Sequence, residues 1–152
     1  MKVRGFEIAK GWEDKDIHLP RRATKNSAGY DIEAAEDLIV PVFQPGVKPT
    51  QIPTGLKAYC QPDEYYSIVN RSSGAGRGIV LANGIGIIDA DYYENASNDG
   101  HFRILVFNVS DQPLEIKKGD RVAQVIFQKY LIVDGDDAQE LRQGGIGSTN
   151  HK

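Results

Sequence analysis

Cysteine, methionine and tryptophan are almost missing, with one of each in 152 residues. A lone thiol, Cys60, can neither close an internal disulfide nor complete a zinc site by itself. It is expected to fill a buried or half-buried position. Positive charge is also short: 18 Lys and Arg against 21 Asp and Glu leave a net charge of −3. No global basic field invites nucleic acid, so an anionic ligand must be gripped by local cations and backbone N–H groups. No apolar run approaches the roughly 18 residues that span a bilayer. The N-terminus is basic but lacks the apolar stretch of a signal peptide. The chain therefore reads as soluble, intracellular and cytoplasmic. Long helical periodicities are missing too. The only helical candidates, residues 70–78 and 136–143, are too short to stand alone.

What remains is strand. Sixteen glycines and seven prolines punctuate short runs rich in valine, isoleucine and tyrosine, the residues that favour a pleated, half-buried surface. "KVRGFEIA", "YDIEAAEDLIV", "TGLKAYC", "YYSIVN", "GIVLANG", "GIIDADY", "FRILVFNVS", "LEIKKGD" and "RVAQVIFQKYLIV" follow one another without intervening helices. That order predicts an all-β sandwich, barrel or jelly roll. The length suits one domain with a sizeable core. There is no internal repeat. The tail from Arg142 is glycine-rich without apolar periodicity, and is expected not to pack onto the core by itself.

Four stretches could carry chemistry, and each has an ordinary alternative. "NGIGIIDADYY" delivers Asp89 and Asp91 at the end of an apolar run. Along the strand the two carboxylates are expected to share a face, with Tyr92 opposite. The preceding Asn83 and two glycines suit a hairpin tip able to read a flat heterocycle. The alternative is a strand end with solvated acids. "NRSSGAGRG" packs Arg71, Ser72, Ser73, three glycines and Arg77 closely enough for an anion nest, or forms a plain polar loop. It fits neither the Walker A spacing nor the dinucleotide fingerprint. Gln124 sits in an otherwise apolar run and needs partners, from a ligand, another subunit or the sheet itself. Arg142 followed by "GGIGST" is either an anion-binding strip or a disordered tail. His18, His101 and His151 lie far apart, at no metal-ligand spacing, and surface or turn roles are expected for them. Ser72 lacks the setting of a hydrolase nucleophile. Trp12 and the Tyr65–Tyr66 pair read as core or subunit-contact aromatics.

Each stretch is weak alone; their order is not. "RRATKNSAGYDIEAAED", "NRSSGAGRGI", "NGIGIIDADY", "GDRVAQVIF" and "GGIGST" resemble, in sequence, the five motifs of the trimeric all-β dUTPases. The resemblance covers about residues 18–149. It implies a jelly-roll protomer over residues 1–140 and a flexible C-terminal arm over 141–152. The protomers would form a homotrimer with exchanged arms, each closing a neighbouring active site. It implies hydrolysis of dUTP to dUMP and pyrophosphate by water attack on the α-phosphorus, with Mg²⁺ on the triphosphate. That activity would keep uracil out of DNA and supply dUMP for thymidylate synthesis.

Position by position, Asp89 matches the aspartate that activates water, and Tyr92 the aromatic under the deoxyribose. Asn83 and the backbone through Ile87 and Ile88 match the uracil-reading hairpin. Arg71, Ser72, Ser73 and Gln124 match phosphate contacts. Arg142, Gly147, Ser148 and Thr149 match the closing arm. Asp31 matches an aspartate reaching the metal through water, and Arg103 a lysine near the substrate. Two departures stand out. Ile146 replaces the arm's usual aromatic, with one fewer residue between Arg142 and the Gly-Gly pair. Residues 93–102 extend what is usually a short turn. Tyr93 or Phe102 is expected to serve as a substitute lid. A regulatory, protein-binding use of the same fold is the main alternative. A dCTP deaminase is another, but it would need a glutamate in the third motif; a structural capsid-type jelly roll would leave the motif order unexplained.

Overall fold

A computed structural model describes residues 1–144, so Ile146, Gly147, Ser148, Thr149 and His151 lie outside the described residues. Twelve strands form among them: β1 (Gly5–Ile8), β2 (Arg21–Arg22), β3 (Tyr30–Glu33), β4 (Leu38–Val40), β5 (Thr50–Pro53), β6 (Leu56–Tyr59), β7 (Glu64–Val69), β8 (Ile79–Leu81), β9 (Gly86–Asp89), β10 (Arg103–Asn108), β11 (Leu114–Ile116) and β12 (Arg121–Lys129). One five-residue helix, α1 (Ser72–Gly76), and one 3-10 turn (Ala90–Tyr92) interrupt them. The expected all-β jelly-roll class is what forms. The short helix falls inside the first predicted candidate; residues 136–143 form none.

β10 shows why these residues make strands. Ile104, Val106 and Asn108 are buried while Arg103, Leu105 and Phe107 alternate outward, the period of a sheet with one face in the core. Asn108 tolerates burial because both ends of its amide are used. Nδ2 donates to the Val40 and Gln112 carbonyls, and Oδ1 accepts from Ser110, which leaves no orphan polar atom. The core gathers Ile32, Val40, Ile52, Leu56, Ile68, Ile104, Ile116 and Val125 with the aromatics Tyr66 and Phe102. Truncating one of the larger aliphatics would cost about 2–5 kcal/mol.

The sheet that positions the site runs β2-β3-β12-β7-β9, every pair antiparallel. Its central strand, β12, has nine residues and pairs with β3 and β7. The registers place Asp31 opposite Gln124, Gln124 opposite Val69, and Tyr65 opposite Asp89. Gln124 and Asp89 are thus displaced by four residues along β7 and by two strand steps, about 13 Å and about 10 Å, or about 16 Å in all.

Candidate active site

One end of this sheet gathers the first, second and fourth motif stretches. Arg71 precedes α1 and donates from Nε to Asp31 Oδ1 at 2.9 Å, while Arg121 Nη1 stands 3.8 Å from the other oxygen. Arg71 Nη1 also reaches Ser73 Oγ at 3.3 Å. Gln124 Nε2 donates to the Asn70 carbonyl at 3.1 Å, so the glutamine fixes the chain just ahead of Arg71. Gly29 makes this possible. A Cβ there would lie 2.0 Å from Gln124 Oε1, an approach only glycine permits. Ser72 and Ser73 are exposed at the start of α1. A pocket of about 730 Å³ lined by Arg21, Arg22, Asp31 and Arg121 adjoins this end. The result is a cationic, glycine-flanked surface able to receive phosphate oxygens.

The expected hairpin does not form as a strand pair: β8 pairs with β10 and β9 with β7, and residues 81–86 make a tight turn between the two sheets that borders the same end. Asn83 is exposed at its tip, and Ile85 and Ile87 are each 56% exposed beside it. Apolar side chains flanking a free amide suit a flat, hydrogen-bonding heterocycle. Ile88 turns inward and packs against the core.

The other end of the sheet carries Asp89. The alternation expected for Asp89, Asp91 and Tyr92 does not form. β9 stops at Asp89, and Ala90–Tyr92 coil into a 3-10 turn, where side chains no longer alternate. The turn buries Tyr92 to 4% exposure yet leaves Asp91 outside. The two carboxylates still converge, on a cation from far along the chain. Arg142 Nη2 donates to Asp89 Oδ2 at 2.8 Å and Nε to Asp91 Oδ1 at 2.7 Å. Its guanidinium lies 5.8 Å from the Tyr92 ring centroid, within cation–π range. The tail does therefore touch the core here: the Arg142 side chain is 9% exposed and Gly144 is buried. Two carboxylates gripping one guanidinium outweigh the lack of apolar periodicity.

Tyr92 is held from behind. Its hydroxyl donates to the His101 carbonyl at 3.2 Å and accepts from Asn98 Nδ2 at 2.7 Å. Burial raises its pKa. His101, expected at the surface, is buried. Its Nε2 accepts from the Gly55 and Thr54 N–H groups at 2.9 and 3.3 Å, and its ring packs on Trp12. Burial first, then Arg103 nearby, pushes its pKa down to about 4. Arg103 is half-buried at the start of β10, within electrostatic reach of both Tyr92 and His101. His18 is exposed beside Glu33, and half-buried Cys60 has its thiol pushed up to about 11, chiefly by burial.

Neither proposed substitute lid is free to close. Phe102 is 1% exposed and packs edge-on against Tyr66 inside the core. Tyr93 donates its hydroxyl to Glu7 and packs against Tyr59. The segment after Tyr92 is pinned by Lys57, which reaches Glu94 and Asp99 at 2.8 and 3.0 Å. Sequence reading missed Asn98, His101 and Thr54 as partners of the site. Asn98 meets Tyr92 from six positions away, but the contacts of Thr54 with His101 and Phe102 join residues 47 and 48 positions apart, and no local pattern announces those.

An all-β scaffold with a strand-tip carboxylate held by Arg142 and a serine-arginine surface able to take phosphates suits a nucleotide hydrolase. Known proteins make the class specific. A sequence model of the dUTPase family matches residues 15–150. A deoxyuridine 5'-triphosphate nucleotidohydrolase of Lactococcus lactis is 47% identical, over 98% of this chain and 99% of its own length. The crystal structure of dUTPase from Streptococcus mutans superposes with a TM-score of 0.79 at 38% identity, covering 86% of this chain and 99% of that one. A mutant dUTPase from phage phi11 of S. aureus, whose structure concerns the coordination of a structural Mg(II) ion, shares the fold at TM-score 0.69 and 19% identity. There the coverage is 91% of this chain and 98% of the phage chain. The chain belongs to the dUTPase family.

Proposed function

We propose that this chain hydrolyses dUTP to dUMP and pyrophosphate, with Asp89 as the group that orients and deprotonates the attacking water. The observation that carries the assignment of Asp89 is its position. It ends a strand, its side chain is 59% exposed, and its partner is a cation on the C-terminal arm. A carboxylate fixed at its backbone but open to solvent can hold water in line with a leaving group. A triphosphate outcompetes two carboxylates for Arg142 by its charge. As the guanidinium turns to the phosphates, Asp89 is left as an acceptor for water. The proton leaves the water for Asp89, the water oxygen bonds to the α-phosphorus, and the bond to the bridging oxygen breaks. Arg71, Ser72, Ser73 and Gln124 steady the phosphates while negative charge gathers on the departing pyrophosphate. Asn83 and the backbone of the turn and strand through Ile87 and Ile88 read the uracil, and Arg103 lies toward the substrate. Ile146, Gly147, Ser148 and Thr149 complete the arm.

Magnesium fits this chain as an ion carried by the substrate. Among the described residues no three His, Cys, Asp or Glu side chains gather to hold a metal. Both oxygens of Asp31 face arginines, so Asp31 suits contact through water rather than direct ligation. Mg²⁺ commonly keeps its waters and binds through substrate phosphates. When bound, it would neutralise the charge developing on the triphosphate.

The site is proposed to be completed by association into a homotrimer with exchanged arms, residues 1–140 forming the β domain; in the single chain Arg142 sits on its own Asp89 and Asp91, and in the trimer a neighbour's arm would take that place. Two features support this. The surface at Gln124 and the carboxylate at Asp89 are about 16 Å apart in one chain, a separation that the facing sheet end of a second copy would close. Leu131, Ile132 and Val133 are 96%, 70% and 75% exposed on leaving β12, an apolar run that a neighbouring copy would cover. No helix among the described residues is long and apolar enough to cross a membrane.

The test is pyrophosphate release with Mg²⁺ from dUTP, beside dCTP, dTTP and UTP. Release from dUTP alone is expected. Ammonia from dCTP would mark a deaminase, and binding of dUTP without release would mark a regulatory binding module.

A further inference from the structure

We propose that Asn98, in the extended segment after Tyr92, is a positioning residue that sets discrimination between deoxyribose and ribose. The inference rests on the reading of Tyr92 as the aromatic beneath the sugar.

Residues 93–101 form a wired strut. Asn95 Oδ1 accepts from Ser97 N, Ser97 Oγ and Asn98 N at 2.9–3.2 Å. Asn95 Nδ2 donates to the Tyr92 carbonyl and to Asn98 Oδ1 at 2.8 and 2.7 Å. Gly100 N donates to the same Asn98 oxygen at 3.0 Å. With its oxygen held by two donors, the Asn98 amide has one orientation, and its N–H points at the Tyr92 hydroxyl. The far side of the strut is anchored. Asp99 accepts from Lys10 N–H and Lys57, and Glu94 binds Lys57 as well. Gly100 holds a φ of +85°, and a Cβ there would meet Glu94 N at 2.8 Å. Glu94 and Asp99 also adopt positive φ, a conformation that persists only where surroundings enforce it.

The chemical consequence concerns the hydroxyl. Tyr92 Oη donates to His101 and accepts from Asn98, so its bonding capacity is engaged behind the ring. Tyr92 is 4% exposed with Arg142 beside its ring, so once Arg142 turns to the phosphates only the apolar ring is presented to a sugar. A ribose 2′-hydroxyl packed there loses water and gains no partner, the kind of mismatch that rejects a substrate strongly. Deoxyribose loses nothing. If Asn98 is removed, a lone pair of the phenol is released and the ring is free to shift, so the 2′-hydroxyl finds an acceptor.

The experiment measures kcat and KM for dUTP and UTP in wild type, Asn98→Ala, Asn98→Asp and Tyr92→Phe, with melting temperatures. Asn98→Asp keeps an acceptor for Asn95 and Gly100 but removes the donor to Tyr92, and guards against simple misfolding of the alanine variant. Expected is a fall of about tenfold in the dUTP-over-UTP ratio of kcat/KM, carried by KM, with kcat for dUTP little changed. Tyr92→Phe, lacking the acceptor for UTP, keeps its preference for dUTP. An unchanged ratio in both Asn98 variants, or equal losses on both nucleotides with a lowered melting temperature, overturns the inference. A wild type inactive on dUTP fails the parent reading instead, and this one with it. An active wild type with an unaltered ratio in the variants sinks this one alone.

Discussion

The two ends of the five-stranded sheet are built on different principles. At the Gln124 end, Asp31, Arg71, Arg121 and Gln124 hold one another, and Gly29 and the Asn70 carbonyl shape the space around them. The fold itself prepares that end. At the Asp89 end two exposed carboxylates wait on a cation 51 and 53 residues further along the chain. Only Tyr92 is fixed there in advance, from behind. On the proposed reading, phosphate recognition is preorganised, whereas the carboxylate proposed to activate water is completed by a cation from far along the chain. A site divided in this way can keep its carboxylate neutralised until a more highly charged ligand draws the arginine off.

The largest effect is expected from Asp89→Asn. It should lower kcat on dUTP by about 10²–10⁴-fold while leaving nucleotide affinity in place, measured by stopped assays and by calorimetric titration. A loss of affinity without loss of kcat would move Asp89 to the binding side. Arg142→Ala should be milder, about 10–100-fold in kcat/KM, because one charge-assisted contact is lost while the cradle at the opposite end remains.

Much of this division was legible in the chain. The strand runs, the missing long helices and the ordered motifs together specify an all-β scaffold, and the motifs nominate the site positions proposed above. What failed did so for local reasons. The alternation through "DADY" assumed that β9 continues, but the chain coils at Ala90, and a 3-10 turn buries Tyr92. Phe102 looked like a spare aromatic in an insertion. It is a core residue packed on Tyr66 at the entry to β10. His101 gave no signal because its partners, Thr54 and Gly55, form the β5–β6 connection, 47 and 46 residues earlier in the chain. "DDAQELRQ" has helical composition but leaves Leu141 83% exposed, with no apolar face to bury.

Two smaller effects separate stability from catalysis. His101 must stay neutral to accept its two N–H bonds, and its folded pKa is lowered from 6.5 to about 4. Between those values the unfolded chain binds more protons than the folded one. Stability is therefore full above about pH 6.5 and is lost as the pH falls toward 4. Melting temperatures followed across that window should drop for the native chain. With His101→Gln the drop should shrink, and an unchanged slope would assign the acid sensitivity elsewhere. The smallest effect belongs to Tyr66, whose hydroxyl is buried without a partner. Tyr66→Phe removes an unsatisfied group while keeping the ring, so it should be neutral or stabilising by about 1 kcal/mol. A clear loss of stability would reveal a partner for that hydroxyl.

The most direct measurement mixes two inactive variants. Asp89→Asn leaves the phosphate cradle intact, and Arg71→Ala leaves the carboxylate intact. Each is assayed alone, then both together after partial denaturation and refolding. If the two sheet ends of different copies face each other, the mixture regains dUTP hydrolysis at sites pairing an intact Arg71 with an intact Asp89. If activity stays at the level of the separate variants although mixed assemblies form, each site is built within one chain. The division of labour between the two ends would then be contradicted.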